Sequence, residues 1–173
     1  GVYSVVEADI HDDNALNHLM YGMDAVINLV GVLHSKYGKP YGANFAKNHV
    51  DLPRRIVAAC AKNGVRRYLH MSALGADVNA PSMYLRSKAD GEKAAFANPL
   101  VKSTVFRPSV VFGEDDRFLN MFASMQKYFP IIPLAGAGAK FQPIYVQDVA
   151  QAMVNALGND HTIGQVYALV GPT

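Results

Sequence analysis

Tyr84 and Lys88 stand four residues apart in Tyr84-Leu-Arg-Ser-Lys88, a spacing that puts both side chains on one face of a helix. A free tyrosine has a pKa near ~10 and is a poor base at neutral pH. A nearby ammonium favours the phenolate and lowers that pKa. A phenol so tuned could exchange a proton with a carbonyl or hydroxyl while a cofactor moves a hydride, and the lysine could hold a ribose hydroxyl. Taken alone, Tyr-x-x-x-Lys equally describes an exposed helix face. The surrounding elements have to decide.

Those elements alternate. Val2–Ala8 is rich in β-branched residues and predicts a strand, followed by a polar loop at Asp9–Asp13. Asp13 or Asn14 could cap a short helix through Tyr21. Asp24–Gly31 predicts a short buried strand ending at a glycine. A long helix is expected from about Tyr41 to Asn63, with Phe45, Val50, Ile56, Val57 and Cys60 at core spacing and a kink at Pro53. Asn63-Gly64 stops it. Arg66–Met71 predicts a strand, Ser82–Ala97 a helix and Ser103–Arg107 a strand, with Val110–Gly113 as a short continuation. Beyond it, Phe118–Tyr128 and Gln147–Leu157 predict helices, 131–140 a loop, and Phe141–Val146 and Gln165–Val170 strands. This order argues an α/β fold with a mostly parallel sheet. Ligands of such sheets bind beyond the carboxyl ends of the strands. The residues to watch are therefore Asp9-Ile10, Asn28–Gly31, Ser72-Ala73 and Arg107–Ser109.

Composition removes several alternatives. The chain has 173 residues, 50% of them hydrophobic and 17% charged, enough for one ordinary domain with a real core. Sixteen basic residues against fourteen acidic ones argue against nucleic acid as a partner. The basic strip formed by Lys47, Arg54, Arg55, Lys62, Arg66 and Arg67 reads as a solvated face. A single cysteine excludes a disulfide framework and a multi-cysteine zinc site, and His11 and His18 lack a carboxylate cluster at metal-ligand spacing. No stretch approaches the ~18 apolar residues of a transmembrane helix. The charged loop Glu114–Arg117 reads first as a solvated turn, with a place on a substrate rim as the alternative.

Five stretches in order resemble the short-chain dehydrogenase/reductase superfamily: His70–Ala76, Tyr84–Glu92, Phe106–Gly113, Asp116–Asn120 and Phe141–Val149. More narrowly they resemble its extended and atypical branch, and within it the complex I accessory-subunit family and its bacterial relatives. The resemblance covers nearly the whole chain. It implies a Rossmann-like doubly wound sheet that binds NADP or NAD. It also implies site residues. Asp9 and Ile10 would flank the adenine, and Asn28, Leu29, Val30 and Gly31 would line the cofactor. Tyr84 and Lys88 would stand at the nicotinamide, with Ser72 as the neighbouring hydroxyl. Pro108 and Ser109 would meet the nicotinamide amide through backbone. The implied partners are the dinucleotide and subunits of respiratory complex I. The implied location is the bacterial cytoplasm or the face of the inner membrane, with the mitochondrial matrix second.

Three departures qualify catalysis. The family's serine or threonine position falls on Ala73, with Ser72 one residue early and suited to a structural hydroxyl. The family's asparagine in the long helix falls on Asn48 or His49, with His49 slightly favoured. No glycine-rich loop precedes Val2 to place backbone N–H groups on a pyrophosphate, and Gly136-Ala-Gly138 opens no helix. The chain is therefore expected to be a fragment, one partial domain whose residues 114–173 lead into a substrate region, with weak dinucleotide binding alone. Two functions follow. One is a cofactor-binding protein with a structural or assembly role. The other is a reductase, epimerase or dehydratase using Tyr84 and Lys88.

Overall fold

In the computed structural model, which describes residues 4–113 and 142–172, six strands occur. They are β1 (Ala25–Asn28), β2 (Arg67–Met71), β3 (Lys102–Pro108), β4 (Val111–Phe112), β5 (Ile144–Tyr145) and β6 (Val166–Leu169). The helices are α1 (Asp13–Met20), α2 (Ala43–Phe45), α3 (Leu52–Asn63), α4 (Met83–Ala95) and α5 (Val146–Leu157). The main sheet has the order β1-β2-β3-β6, and every pair is parallel. The register sets Asn28 opposite His70, Met71 opposite Phe106 and Pro108 opposite Leu169. The carboxyl ends of the strands thus lie side by side.

Strand side chains alternate between faces, and here each face has its own core. Tyr68 and Val105 join Leu16, Leu52, Ile56 and Cys60 under α1 and α3. Their chain neighbours Leu69 and Phe106 join Val149, Met153 and Ala156 under α5. Burying one such large side chain is worth ~1.5–3 kcal/mol, so neither face of β2 and β3 can be left to water. This is a doubly wound sheet.

The long helix is interrupted, not simply kinked. Between α2 and α3, residues Ala46–Asp51 form a π-helical segment. Pro53, in the first turn of α3, has no N–H to return to the His49 carbonyl in the α-helical register. The wider π turn accommodates the missing N–H, and α2, the π segment and α3 follow one another without a break. At the far end Gly64 adopts φ 74° and the Val65 N–H bonds the Cys60 carbonyl at 2.9 Å. That closes the helix as Asn63-Gly64 predicts.

Several expectations are corrected. Residues 4–8 form no strand: they have no ladder partner among the described residues, and Val5 is 91% exposed. β propensity without a neighbour to pair with does not make a strand. The cap of α1 is Asp12, whose side chain accepts the Ala15 N–H at 2.8 Å, one residue before the expected position. Val111-Phe112 does not continue β3 but pairs with β5 in a separate two-stranded parallel sheet. Arg67 leaves the basic strip: it is only 8% exposed and donates to the carbonyls of Lys102 and Ala156 and to the hydroxyls of Thr104 and Thr162. Of the strip's other members, Arg54 pairs with Asp51 and Arg55 with Asp13. The expected helix at 118–128, the loop at 131–140, the charged loop at 114–117, the stretch 116–120 and Gly136–Gly138 lie outside the described residues.

Candidate functional site

α4 starts where the Ser82 hydroxyl accepts the Leu85 N–H at 3.1 Å. One face of this helix, with half-buried Tyr84 and buried Ser87, Lys88, Gly91, Glu92 and Ala95, packs against the π segment, α3 and strands β2 and β3. Lys88 is only 3% exposed, and its Nζ donates to the Met71 carbonyl at 3.1 Å. Burial pulls its pKa down to about 8, against an upward pull from Glu92. Gly31 lies directly across: a Cβ there would sit 3.4 Å from Nζ.

Lys88 Nζ stands 5.8 Å from the centroid of the Tyr84 ring, against its face. Burial raises the Tyr84 pKa, opposite to the lowering expected from a lysine beside the hydroxyl. In this geometry the phenol is neutral.

The end of β1 is held by side chains. Asn28 Oδ1 accepts the Val30 N–H at 3.0 Å, and its Nδ2 donates to the Tyr68 hydroxyl at 3.1 Å. The Tyr68 hydroxyl lies 3.1 Å from His70 Nδ1. Burial first, then the Lys88 charge, lowers the His70 pKa to about 3, so this ring is neutral. Leu29 is 61% exposed and Gly31 is exposed, while Val30 packs against the first core. Of the two candidates in the long helix, Asn48 points outward and bonds Asn44, whereas His49 is buried. His49 Nε2 receives the Val32 N–H at 3.0 Å, and Nδ1 lies 2.8 Å from Ser87 Oγ.

The Ser72 hydroxyl donates to the Glu92 carboxylate. Arg107 binds the same carboxylate through Nε at 2.8 Å and Nη2 at 2.6 Å. This trio ties together the ends of β2, α4 and β3, and it engages the Ser72 proton inside the protein. Ala73 offers no hydroxyl in its place. The Pro108 carbonyl accepts the Leu74 N–H at 2.8 Å, and the Ser109 N–H donates to the Leu169 carbonyl at 2.9 Å. Asp9 bonds its own turn, accepting the His11 N–H at 2.8 Å, and Ile10 packs against the first core.

Tyr84, Lys88, Gly31, Val30 and Asn28 are therefore brought together, with Ser72, Pro108 and Ser109 on the adjoining strand ends. Asp9 and Ile10 stand on the separate turn before α1. Sequence reading missed the Glu92–Arg107 pair. Glu92 stands four residues after Lys88 on the same helix stripe, and that spacing was its available signal.

Residues 2–169 match the NAD dependent epimerase/dehydratase family. The chain is 35% identical over 174 residues to the mitochondrial NADH dehydrogenase [ubiquinone] 1 alpha subcomplex subunit 9 of Mus musculus, covering 99% of this chain and 45% of that protein. It is 37% identical over 166 residues to the protein of the same name from Arabidopsis thaliana, covering 95% of this chain and 40% of that one. The chain thus spans less than half the length of these relatives. Among solved structures, it is similar to a dTDP-glucose 4,6-dehydratase of Streptomyces venezuelae with NAD bound, with a TM-score of 0.77 at 18% identity over 96% of this chain and 57% of that one. It is also similar to a UDP-glucuronic acid 4-epimerase of Bacillus cereus in complex with NAD, with a TM-score of 0.75 at 20% identity over 96% of this chain and 59% of that one. The doubly wound parallel sheet, the buried Tyr84/Lys88 face and the match over residues 2–169 agree: the chain belongs to the NAD dependent epimerase/dehydratase family.

Proposed function

We propose that this chain forms the nicotinamide side of an NAD(H)- or NADP(H)-binding protein with a structural or assembly role on respiratory complex I or a similar partner. The observation that carries the reading is an intact Tyr84/Lys88 face whose serine neighbour is committed elsewhere: Ser72 bonds Glu92, and position 73 is alanine. The residues fit a dinucleotide at this end. An ammonium has three donors, and Lys88 gives one to Met71, which leaves two for ribose hydroxyls. Gly31 presents bare backbone across from Nζ. When bound, a nicotinamide supplies hydride transfer. Here Lys88 and Tyr84 would orient the ring end, and Asn28 would hold the backbone that lines it. The names of the relatives support the partner, and they support a place in the mitochondrial matrix or peripheral to the inner membrane. In a bacterium the corresponding place is the cytoplasm or the cytoplasmic face of that membrane.

The second reading is a working reductase, epimerase or dehydratase with Tyr84 as acid/base and Lys88 as its tuner. The survival of both residues favours it. A fluorescence titration with NADH and NADPH, on the protein at the full length its gene encodes and on this chain, tests both readings. Absence of binding at full length overturns both. Tyr84→Phe then separates them: an enzyme loses about 10²–10⁴-fold in turnover and keeps its cofactor affinity, whereas a structural binder changes only slightly in stability.

A further inference from the structure

His49 was noticed in the sequence only as a replacement for an asparagine, yet its surroundings assign each of its protons. The Val32 amide can only donate, so Nε2, which receives it at 3.0 Å, carries no hydrogen. Nδ1 then carries the proton and donates to Ser87 Oγ at 2.8 Å. The Ser87 proton passes on to the Tyr84 carbonyl at 2.7 Å. The chain of donors runs one way, from the loop after β1 through the imidazole into α4, with no donor facing a donor. Only the neutral Nδ1–H tautomer completes it.

The backbone holds the ring where this is required. The π turn at Ala46–Asp51 carries His49 inward, and a Cβ on Gly91 would run into the His49 carbonyl oxygen, so α4 and the π turn interlock. Phe45 stacks on the ring at 5.2 Å, and Tyr84 meets it edge-on at 5.4 Å. The titratable groups that face it are Lys88 and Tyr84 from α4 and His70 from β2. Burial, and then the Lys88 charge, lowers the His49 pKa to about 4, in line with a ring that stays neutral.

We propose that His49 is a positioning residue: its neutral imidazole clamps the backbone of Gly31-Val32 to α4 and so fixes that lip opposite Lys88 Nζ. The proposal rests on the dinucleotide reading above, because the lip it fixes is the one that would meet the ribose and nicotinamide. An imidazolium at this position would set an N–H against the Val32 N–H and release the lip.

The test combines ¹⁵N NMR of the imidazole, hydrogen exchange of the Val32 amide and NADH titration at full length, in wild type and in His49→Phe. Expected are an Nδ1–H tautomer that stays neutral at pH 6 and a protected Val32 amide in wild type. In His49→Phe that protection falls and the NADH Kd rises about tenfold, as for one lost buried hydrogen bond. Ser87→Ala removes the other end of the clamp with little risk to folding, and it should weaken binding in the same direction. If His49→Phe does not fold, Ser87→Ala decides alone. An Nε2–H tautomer, an imidazolium at pH 6, or unchanged affinity in the variants overturns the positioning role alone. Loss of NADH binding by wild type overturns the dinucleotide reading, and the clamp's purpose with it, whatever the tautomer.

Discussion

Gly91→Ala should destabilise the protein even though it replaces the second-worst helix former with the best. In an exposed helix the exchange gains about 1 kcal/mol. Gly91, however, is buried within α4, and a Cβ added there would collide with the carbonyl oxygen of His49. The obstacle is backbone, in a π turn held from one side by Pro53 and from the other by the His49 clamp. It cannot swing away as the tip of a side chain would. Overpacking costs ~1–3 kcal/mol, and a rigid neighbour puts this site at the upper end, for a net loss of about 2 kcal/mol once the propensity gain is subtracted. For a chain of this size that corresponds to a fall in Tm of about 4–8 °C. Urea unfolding at constant m-value and a thermal scan measure it. Equal or higher stability in Gly91→Ala would refute the interlocking of α4 with the π turn and weaken the case for a fixed His49.

Acid should destabilise the protein well before its carboxylates titrate. The folded pKa values of His49 and His70 are lowered to about 4 and about 3, against ~6.5 in the unfolded chain, so as pH falls the unfolded state takes up protons first. The stability held above pH ~6.5 is lost progressively toward pH 4, by about 2 kcal/mol for each histidine at pH 5; equal urea midpoints at pH 7 and pH 5 would contradict the neutral buried rings. Glu92→Gln should cost about 2 kcal/mol, discounted because Arg107 is a third exposed, and it should couple to Arg107→Met in a double-mutant cycle, whereas strict additivity would dissolve the Ser72–Glu92–Arg107 trio. Arg67→Met strips donors from the Ala156 and Lys102 carbonyls at once and should lose about 2 kcal/mol in urea unfolding, an outcome that a solvated arginine would not give.

The alternation of strands and helices and the ends of β2 and β3 were legible because they rest on local signals: β-branched runs, glycine stops and helix caps repeated along the chain. What escaped depends on partners. Residues 4–8 have the composition of a strand but no partner strand among the described residues. Arg67 has the composition of a surface residue, yet two carbonyls and two threonine hydroxyls take it inside. Pro53 correctly marked a disturbance, but a π turn and a kink are two answers to the same missing N–H, and the π turn is the one that sets the His49 carbonyl against Gly91. Hydropathy failed most plainly at α4. Beside its alanines it buries Ser87, Lys88, Gly91 and Glu92, of which an apolar pattern assigns Ser, Lys and Glu to solvent.

That helix also argues that anchoring and the proposed dinucleotide contact are coupled in this protein. Tyr84 and Lys88 occupy its first turns; Ser87 bonds His49 in the π segment, Lys88 bonds the Met71 carbonyl, Glu92 bonds Ser72, and Gly91 lets the His49 carbonyl approach. A rigid helix turns any displacement at Gly91 or Glu92 into a displacement at Lys88 Nζ, one turn away, where it faces Gly31. Substitutions in the lower turns should therefore weaken dinucleotide affinity roughly in step with how far they loosen α4, while touching no cofactor atom. Tyr84→Phe should leave both the anchors and the affinity essentially unchanged. If affinity proved indifferent to Glu92 and Gly91, α4 would be two independent devices on one helix, and the buried trio would have to be explained by stability alone.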